Sequence, residues 1–200
     1  MDSKIAVKQL QTLKKYTPDG SMRLAAEWNE KWKILIATIL SAQTRDETTI
    51  QVGEILFKKY PTLDKFRKAK LNNIEKIIRP INYYKTKAKN ILATAKLIYR
   101  NGIPENCDEL LEFPGVGRKV ANVYLAEAFK ADAIGVDTHL SFVSQYLEWS
   151  KNKNPHKIEK DLESLFPKKY WNSINYIVVR FGRSYNRQKQ SEILDKLKII

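Results

Sequence analysis

The stretch Phe113-Pro114-Gly115-Val116-Gly117-Arg118-Lys119-Val120-Ala121-Asn122-Val123 decides the fold. Apolar residues at helical spacing flank the interruption at 114–117, so we expect a helix from Cys107 to Phe113, a tight hairpin, and a helix from Arg118 to Phe129. Two glycines within four residues permit positive φ and leave the backbone uncovered, so successive amides can face one phosphate beside a helix N-terminus. The alternative is an ordinary turn between two core helices.

Helical spacing continues over most of the chain. One apolar face is formed by Ala88, Ile91, Leu92, Ala95, Ile98 and Tyr99, and Gly102 is placed to end that helix. The segment from Leu35 to Leu40 is so apolar that its helix should lie at the centre of the core. No clear alternating strand pattern occurs, and X-Pro pairs punctuate the helices. The sequence therefore predicts an all-α bundle of about ten short helices, with Ser150–Pro155 as a polar connection and a basic C-terminal helix from Ser191 to Ile200.

Length and composition limit the class of protein. The 200 residues suffice for one domain or two small ones, and 43% hydrophobic residues with four tryptophans exclude a disordered chain. No run of 18 uncharged apolar residues exists to cross a membrane. The N-terminus lacks the apolar core of a secretory signal, so we expect a cytoplasmic location.

The charge and the cysteine count point to partners. Thirty-six Lys and Arg residues against 22 Asp and Glu residues give a net charge of +14, which favours binding to polyanions through phosphate neutralisation and counterion release. The alternative is a merely solvated basic surface. The single cysteine, Cys107, excludes an internal disulfide and any cysteine-built cluster or zinc site.

A family resemblance rests on several motifs together. The hairpin stretch, followed by Val136-Asp137-Thr138-His139, resembles the endonuclease III branch of the helix-hairpin-helix DNA glycosylases. Leu40-Ser41-Ala42-Gln43-Thr44-Arg45-Asp46, and Tyr84 through Lys87-Ala88 to Asn90-Ile91, occur in the family's order and spacing. The resemblance covers about residues 24 to 186.

The resemblance implies two catalytic residues. Lys119 matches the nucleophile, whose neutral amine attacks C1′ of a flipped nucleotide, displaces the base, and forms a Schiff base that permits β-elimination of the 3′ phosphate. Asp137 matches the family's aspartate, which stabilises cationic sugar character and assists proton transfer. From its sequence position alone, Asp137 is also the N-cap of the helix that follows, and the two roles are compatible.

DNA contacts are implied at further positions. Gln43 would insert where the extruded nucleotide had stacked, and Tyr83 matches a loop position that wedges a side chain from the other face of the gap. We predict phosphate contacts for the hairpin residues and for neighbouring or C-terminal cations: Pro114, Gly115, Val116, Gly117 and Arg118, with Lys85, Lys87, Arg183 and Arg187. His139 joins this DNA-binding set as a packing or orienting residue rather than a metal ligand, because the chain has only one other histidine, His156.

Two departures from the family pattern affect these expectations. Many relatives carry a four-cysteine iron–sulfur cluster after a Gly-Arg-Tyr-like segment, but Asn186 stands where the first cysteine would, and no cysteine follows Cys107. We therefore expect no metal and no cofactor, and a final basic helix that organises this region by packing. Phe142 stands where many members have arginine, so lesion preference can differ, for example toward uracil or mismatched thymine.

The sequence thus predicts an all-α, two-lobed protein with a helix-hairpin-helix motif at about 107–129. Residues 24–131 would form a central helical domain, and residues 1–23 with 132–200 a second one without a cluster, so that Lys119 and Asp137 face one cleft. The expected function is a base-excision-repair glycosylase with β-elimination lyase activity on damaged pyrimidines, acting as a nucleoid-associated monomer on double-stranded DNA with a damaged or mismatched base. The alternatives are a monofunctional uracil or thymine mismatch glycosylase and a non-enzymatic damaged-DNA-binding module.

Overall fold

A computed structural model describes residues 1–17 and 23–199 of the chain, and throughout this part the regular structure is helical. In chain order the helices are α1 (Ser3–Lys15), α2 (Lys31–Ser41), α3 (Asp46–Lys59), α4 (Leu63–Arg67), α5 (Leu71–Ile77), α6 (Tyr84–Asn101), α7 (Cys107–Leu111), α8 (Arg118–Phe129), α9 (Thr138–Tyr146), α10 (Pro155–Leu165), a 3-10 turn (Lys168–Tyr170), α11 (Trp171–Ser184) and α12 (Arg187–Lys198). The prediction of an all-α fold is confirmed.

The chain divides into two compact units. One is Arg23–Ala131, with α2 to α8, and the other combines the described parts of Met1–Met22 and Asp132–Ile200, with α1 and α9 to α12. Residues 18–22 and Ile200, which the sequence analysis included in the second domain, lie outside the described residues.

The Arg23–Ala131 unit is built around α2. Every residue of α2 from Ile34 to Leu40 is buried, as is Trp32, and the helix packs against α3, α6 and α8. A helix this apolar on all sides is stable only when neighbours surround it. The expected central position of this segment is therefore confirmed, and α2 is the support on which the hairpin before α8 rests.

The second unit has its own hydrophobic core. It is formed by residues from all five of its α-helices, among them Leu10, Leu140, Ile158, Phe181 and Leu194. The final helix α12 contributes Ile193, Leu194 and Leu197, so its attachment is apolar. This agrees with the expectation that the C-terminal helix is held by packing.

Local sequence signals account for most helix boundaries. Asp2, Asn106 and Asn154 accept hydrogen bonds from the first amides of α1, α7 and α10, and Pro155 stands at the first position of α10. Gly102, with φ of 87°, ends α6 as predicted. Helix α8 has the predicted bounds.

Other boundaries differ from the sequence prediction. The described chain has twelve α-helices rather than about ten, because α4 and α5, of five and seven residues, are too short to show a full helical period. The first hairpin helix ends at Leu111, since Phe113 already belongs to the turn. The last helix begins at Arg187 rather than Ser191, because the Asn186 side chain caps it there. None of the described helices is both long and apolar enough to cross a membrane.

Candidate functional site

The hairpin between α7 and α8 is a tight turn held against the core. The Val116 amide donates to the Phe113 carbonyl at 3.0 Å, and Gly115 in the third position has φ of 82°, as a type II turn requires. A Cβ at Gly115 would lie 2.8 Å from Asn90 Nδ2 and 3.2 Å from Ile39 Cγ2. Glycine is therefore needed here both for its φ and for the close approach of α6 and α2.

A buried hydroxyl fixes the same turn from another side. Thr94 on α6 is fully buried, and its Oγ1 donates to the Pro114 carbonyl at 3.1 Å. The Pro-Gly pair is thereby tied to α6 through a side chain as well as through packing.

Helix α8 begins with an uncovered N-terminus. Its N-cap is Gly117, with φ of −97° and ψ of 173° and no side-chain cap hydrogen bond, and a Cβ there would meet nothing within 4 Å. The first amides of a helix have no intrahelical acceptor and carry the positive end of its dipole. The open space in front of Gly117 can therefore admit an anion such as a phosphate.

Lys119 is in the first turn of α8, next to this open space. It is partly exposed, as is Arg118 before it. The hairpin therefore places Lys119 two residues after the N-cap Gly117, at the helix end where a phosphate can bind. This arrangement suits attack on a sugar carbon adjacent to a phosphate that the hairpin holds.

Asp137 is the N-cap of α9. Its Oδ1 accepts a hydrogen bond from the Leu140 amide at 2.8 Å, which confirms the predicted capping role. Within the described chain the cap uses this oxygen alone, so Oδ2 is available for another interaction. Asp137 also lines a surface cleft of about 420 Å³, together with Thr138, Phe142 and Gln145 among others.

Gln43 and Tyr83 share an unusual backbone conformation. Both are exposed, and both have positive φ, 54° and 58° respectively. Asn82 links them: its Nδ2 donates to the Gln43 carbonyl, and Tyr83 is the next residue. The structure thus brings together two residues that the sequence analysis assigned to DNA. Asn82 was not predicted as a site residue, because its partner Gln43 lies 39 residues away in sequence.

Comparisons with known proteins identify the family. Residues 36–168 match the model of the HhH-GPD superfamily base excision DNA repair proteins. The chain belongs to this superfamily. This HhH-GPD protein is 38% identical over 157 residues to an endonuclease III of Thermotoga maritima, with 77% of this chain and 74% of the relative covered. It is 36% identical over 183 residues to that of a Synechocystis species, with 90% and 83% covered.

Solved structures agree with this placement. A trapped covalent intermediate between endonuclease III and DNA superposes with a TM-score of 0.84 at 33% identity, covering 92% of this chain and 88% of that one. A thermostable thymine-DNA glycosylase, at 18% identity and a TM-score of 0.64, shares the fold. The HhH-GPD chain is thus a base-excision-repair DNA glycosylase of the bifunctional endonuclease III type, with abasic-site lyase activity.

The two lysines near Tyr83 in this HhH-GPD protein have different environments. Lys85 is exposed, as a phosphate contact requires. Lys87 is only 7% exposed, and its Nζ donates to the carbonyl of Leu40 at 2.7 Å, to the carbonyl of Ala42, and to Thr44 Oγ1 at 3.2 Å. Burial lowers the pKa of Lys87 to about 8. The predicted phosphate contact of Lys87 is therefore corrected, because its ammonium group is enclosed by protein acceptors.

The His139 ring packs against α11 and is only partly exposed. Its Nδ1 is buried with no hydrogen-bond partner in the described residues, and it faces Gly182 on α11. This agrees with the packing part of the prediction for His139. A packing role of this kind needs no contact between the imidazole and DNA.

The two C-terminal arginines, Arg183 and Arg187, differ in exposure. Arg183 is partly buried near the end of α11. Arg187, the first residue of α12, is exposed, and its guanidinium lies 3.7 Å from the centroid of the Phe142 ring. This cation–π contact holds Arg187 beside the cleft that Asp137 and Phe142 line.

The segment that precedes α12 is ordered by polar side chains. Asn186 accepts from the Lys189 amide at 2.9 Å, and the buried Gln190 donates from Nε2 to the carbonyls of Gly182 at 2.8 Å and Tyr185 at 2.6 Å. Asn186 thus provides an acceptor for an amide at the start of α12, and Gln190 provides donors for carbonyls at the end of α11. Sequence reasoning missed Gln190, whose burial no local pattern indicates.

Proposed function

We propose that this chain removes damaged pyrimidines from double-stranded DNA with Lys119 as the nucleophile. The observation that carries the proposal is the position of Lys119 in the first turn of α8, directly after an uncapped N-terminus with open space before it. The similarity to a trapped endonuclease III–DNA covalent intermediate supports covalent chemistry of this kind. We propose double-stranded DNA with a mismatched base as a further substrate.

The proposed reaction begins at the sugar. The neutral Nζ of Lys119 attacks C1′, the C1′–N bond to the base breaks, and the base leaves with a proton. Opening of the C1′–O4′ bond, with transfer of a proton to O4′, gives an imine between Nζ and C1′. Loss of a proton from C2′ then expels the 3′ phosphate by breaking the C3′–O bond, and water hydrolyses the imine to release Lys119.

Asp137 is proposed to assist these transfers. The hydrogen bond from the Leu140 amide to Oδ1 fixes the carboxylate at the start of α9. Oδ2 can then stabilise positive charge on the sugar or relay a proton. A rigid carboxylate is more effective in this role than a mobile one, because no reorganisation is needed during the reaction.

Gln43 and Tyr83 are proposed to fill the gap that the extruded nucleotide leaves. Both side chains are exposed, Tyr83 to 68%, and both residues have positive φ. The hydrogen bond from Asn82 to the Gln43 carbonyl joins the two loops that carry them. An amide offers hydrogen bonds to the unpaired base, and an aromatic ring stacks on its neighbours. Lys85, Arg118, Arg183 and Arg187 are proposed as phosphate contacts.

We propose that the enzyme works without an iron–sulfur cluster. Such clusters are held by cysteine thiolates, but residues 108–200 contain no cysteine, and Asn186 is engaged in capping α12. The hydrogen bonds of Gln190 order the same segment. The residues present therefore do not fit this group, and iron analysis of the purified protein should find none. We further propose that the protein acts as a monomer at the nucleoid.

Borohydride trapping tests the nucleophile. Incubation with a duplex that contains thymine glycol, followed by reduction, should give a covalent protein–DNA adduct that is absent with Lys119→Gln. Lys89→Gln, which changes an exposed lysine on α6, should trap as the wild type does. Undiminished trapping by Lys119→Gln would refute the assignment.

A panel of single-lesion duplexes tests the substrate. Phe142, the expected departure from the family pattern, lines the cleft beside Asp137, so uracil and mismatched thymine belong in the panel with thymine glycol. Strand scission without added alkali is expected on the preferred lesion. Release of free base with intact strands would instead indicate a monofunctional glycosylase.

A further inference from the structure

The loop that carries Gln43 is a turn with an unfavourable residue in it. The Thr44 amide donates to the Ser41 carbonyl at 3.0 Å, Ala42 has φ of −56° and ψ of 120°, and Gln43 has φ of 54°. These values describe a type II turn, whose third position favours glycine. A side chain with a Cβ costs about 1–2 kcal/mol in the left-handed region, so the surroundings must hold Gln43 there.

Lys87 supplies the main restraint on this turn. From the first turns of α6 it reaches back, and its Nζ donates to the carbonyls of Leu40 and Ala42 and to Thr44 Oγ1. These three acceptors lie on both sides of Gln43 in sequence. One buried ammonium therefore holds the backbone before the strained residue and the side-chain hydroxyl of the residue after it, while the Gln43 side chain remains exposed.

Asn82 supplies a second restraint from the same direction. Its Nδ2 donates to the Gln43 carbonyl, and its backbone amide donates to Thr44 Oγ1 at 3.3 Å. The Thr44 hydroxyl thus accepts from both Lys87 and Asn82. Tyr83 follows Asn82 and is the left-handed N-cap of α6, the helix from which Lys87 projects.

We propose that Lys87 is a positioning residue that fixes Gln43 and Tyr83 relative to each other, so that both side chains enter the duplex as one rigid unit. The inference rests on the proposed role of Gln43 and Tyr83 in filling the gap. Preorganisation of this kind removes the loss of conformational entropy on binding that two independent loops would suffer. Lys87 then neutralises no DNA phosphate.

Lys87→Met tests this, with Lys89→Met on the exposed side of α6 as the matched control. Extrusion is followed by the fluorescence of 2-aminopurine beside the lesion, and chemistry by single-turnover rates at saturating enzyme. We expect Lys87→Met to lower the single-turnover rate on a paired lesion by about 10-fold or more, with a much smaller loss when the lesion nucleotide is unpaired and extrusion is easy. Lys89→Met should match the wild type.

Salt dependence separates positioning from phosphate binding. Loss of one phosphate contact would reduce the slope of log affinity against log salt by about 1 and weaken binding to every duplex alike. A positioning residue leaves that slope unchanged. A reduced slope together with an equal rate loss on paired and unpaired lesions would overturn the inference.

Two further variants make the result decisive. If Lys87→Met does not fold, Thr44→Val removes the hydroxyl through which Lys87 holds the residue after Gln43, and it should show the same preference for unpaired lesions; wild-type behaviour of Thr44→Val would then refute the inference. Gln43→Ala reports on the proposed function itself. If it leaves extrusion unchanged, the gap-filling role fails; if it impairs extrusion while Lys87→Met behaves as Lys89→Met, only the role of Lys87 fails.

Discussion

A Cβ placed on Gly182 would lie 2.2 Å from Nδ1 of His139, and 2.7 Å from Cγ of the same ring. Helices α9 and α11 therefore pack at this point because residue 182 has no side chain. His139 is two residues after Asp137, the N-cap of α9, so the contact lies in the first turn of that helix. Packing at Gly182 thus bears on the orientation of the Asp137 carboxylate, which is proposed to assist the reaction.

We expect Gly182→Ala to destabilise the protein by about 1–3 kcal/mol, the usual effect of overpacking a tight contact. Urea denaturation followed by circular dichroism measures this. In a His139→Ser background the ring is absent, so the same glycine substitution should have a much smaller effect, and the double-mutant cycle gives the coupling. An equal loss in both backgrounds would show that His139 is not the obstacle.

The two hairpin glycines offer a matched pair. Gly115 has positive φ and close neighbours, whereas Gly117 has negative φ and open space around its Cβ position. Gly115→Ala should cost about 1–3 kcal/mol of stability, while Gly117→Ala should stay within about 0.5 kcal/mol of the wild type.

The DNA affinity of Gly117→Ala should fall even though its stability is close to that of the wild type. The methyl group of Gly117→Ala would occupy the open space in which the phosphate is proposed to bind, so this stable variant should bind duplex DNA more weakly. Fluorescence anisotropy at fixed salt measures the affinity. Wild-type binding by Gly117→Ala would place the phosphate elsewhere.

The sequence predicted those parts of the fold that depend on local signals. Helix α8 and the Pro114–Gly117 hairpin follow from glycine, proline and apolar spacing, and both are confirmed. The short helices α4 and α5 were missed, because five to seven residues form too few turns to show a period. Their helical state depends on packing against α6, which a local pattern does not contain.

The candidate site was predictable only where a motif specified the residue. Lys119 and Asp137 come from motif positions, and their helix-terminal settings follow from the sequence. The burial of Lys87 was not predictable, since a lysine beside a loop is usually exposed, and its three acceptors lie more than 40 residues away in sequence. Asn82 escaped notice for a similar reason, since its partner Gln43 is distant in sequence. Gln190 was missed because its burial depends on how α12 packs against α11.

Gln43 is expected to show a trade-off between stability and activity. Gln43→Gly relieves the left-handed strain, and the greater entropy of glycine in the unfolded chain offsets part of the gain, so stability should be unchanged or higher by up to about 1 kcal/mol. Glycosylase activity on a paired lesion should nevertheless fall, because no side chain remains to enter the gap. Melting temperatures and single-turnover rates on one preparation decide this. A variant that is both less stable and fully active would contradict both arguments.

The buried Lys87 should make folding stability depend on alkaline pH. Its pKa is about 8 in the folded protein against 10.5 for an ordinary lysine, so between these values the unfolded chain binds the proton and the folded protein does not. The free energy of unfolding must then rise with pH across this window, since the unfolded state carries more protons. The penalty for burying the ammonium is complete below about pH 8 and is relieved above it. Each pKa unit corresponds to about 1.4 kcal/mol, so from about pH 7 to about pH 10 the wild type should gain roughly 2 to 3 kcal/mol relative to Lys87→Met. Urea unfolding of both proteins at matched ionic strength gives this difference, and Lys89→Met should parallel the wild type. A constant difference across the window would mean that the buried amine keeps the pKa of an exposed lysine.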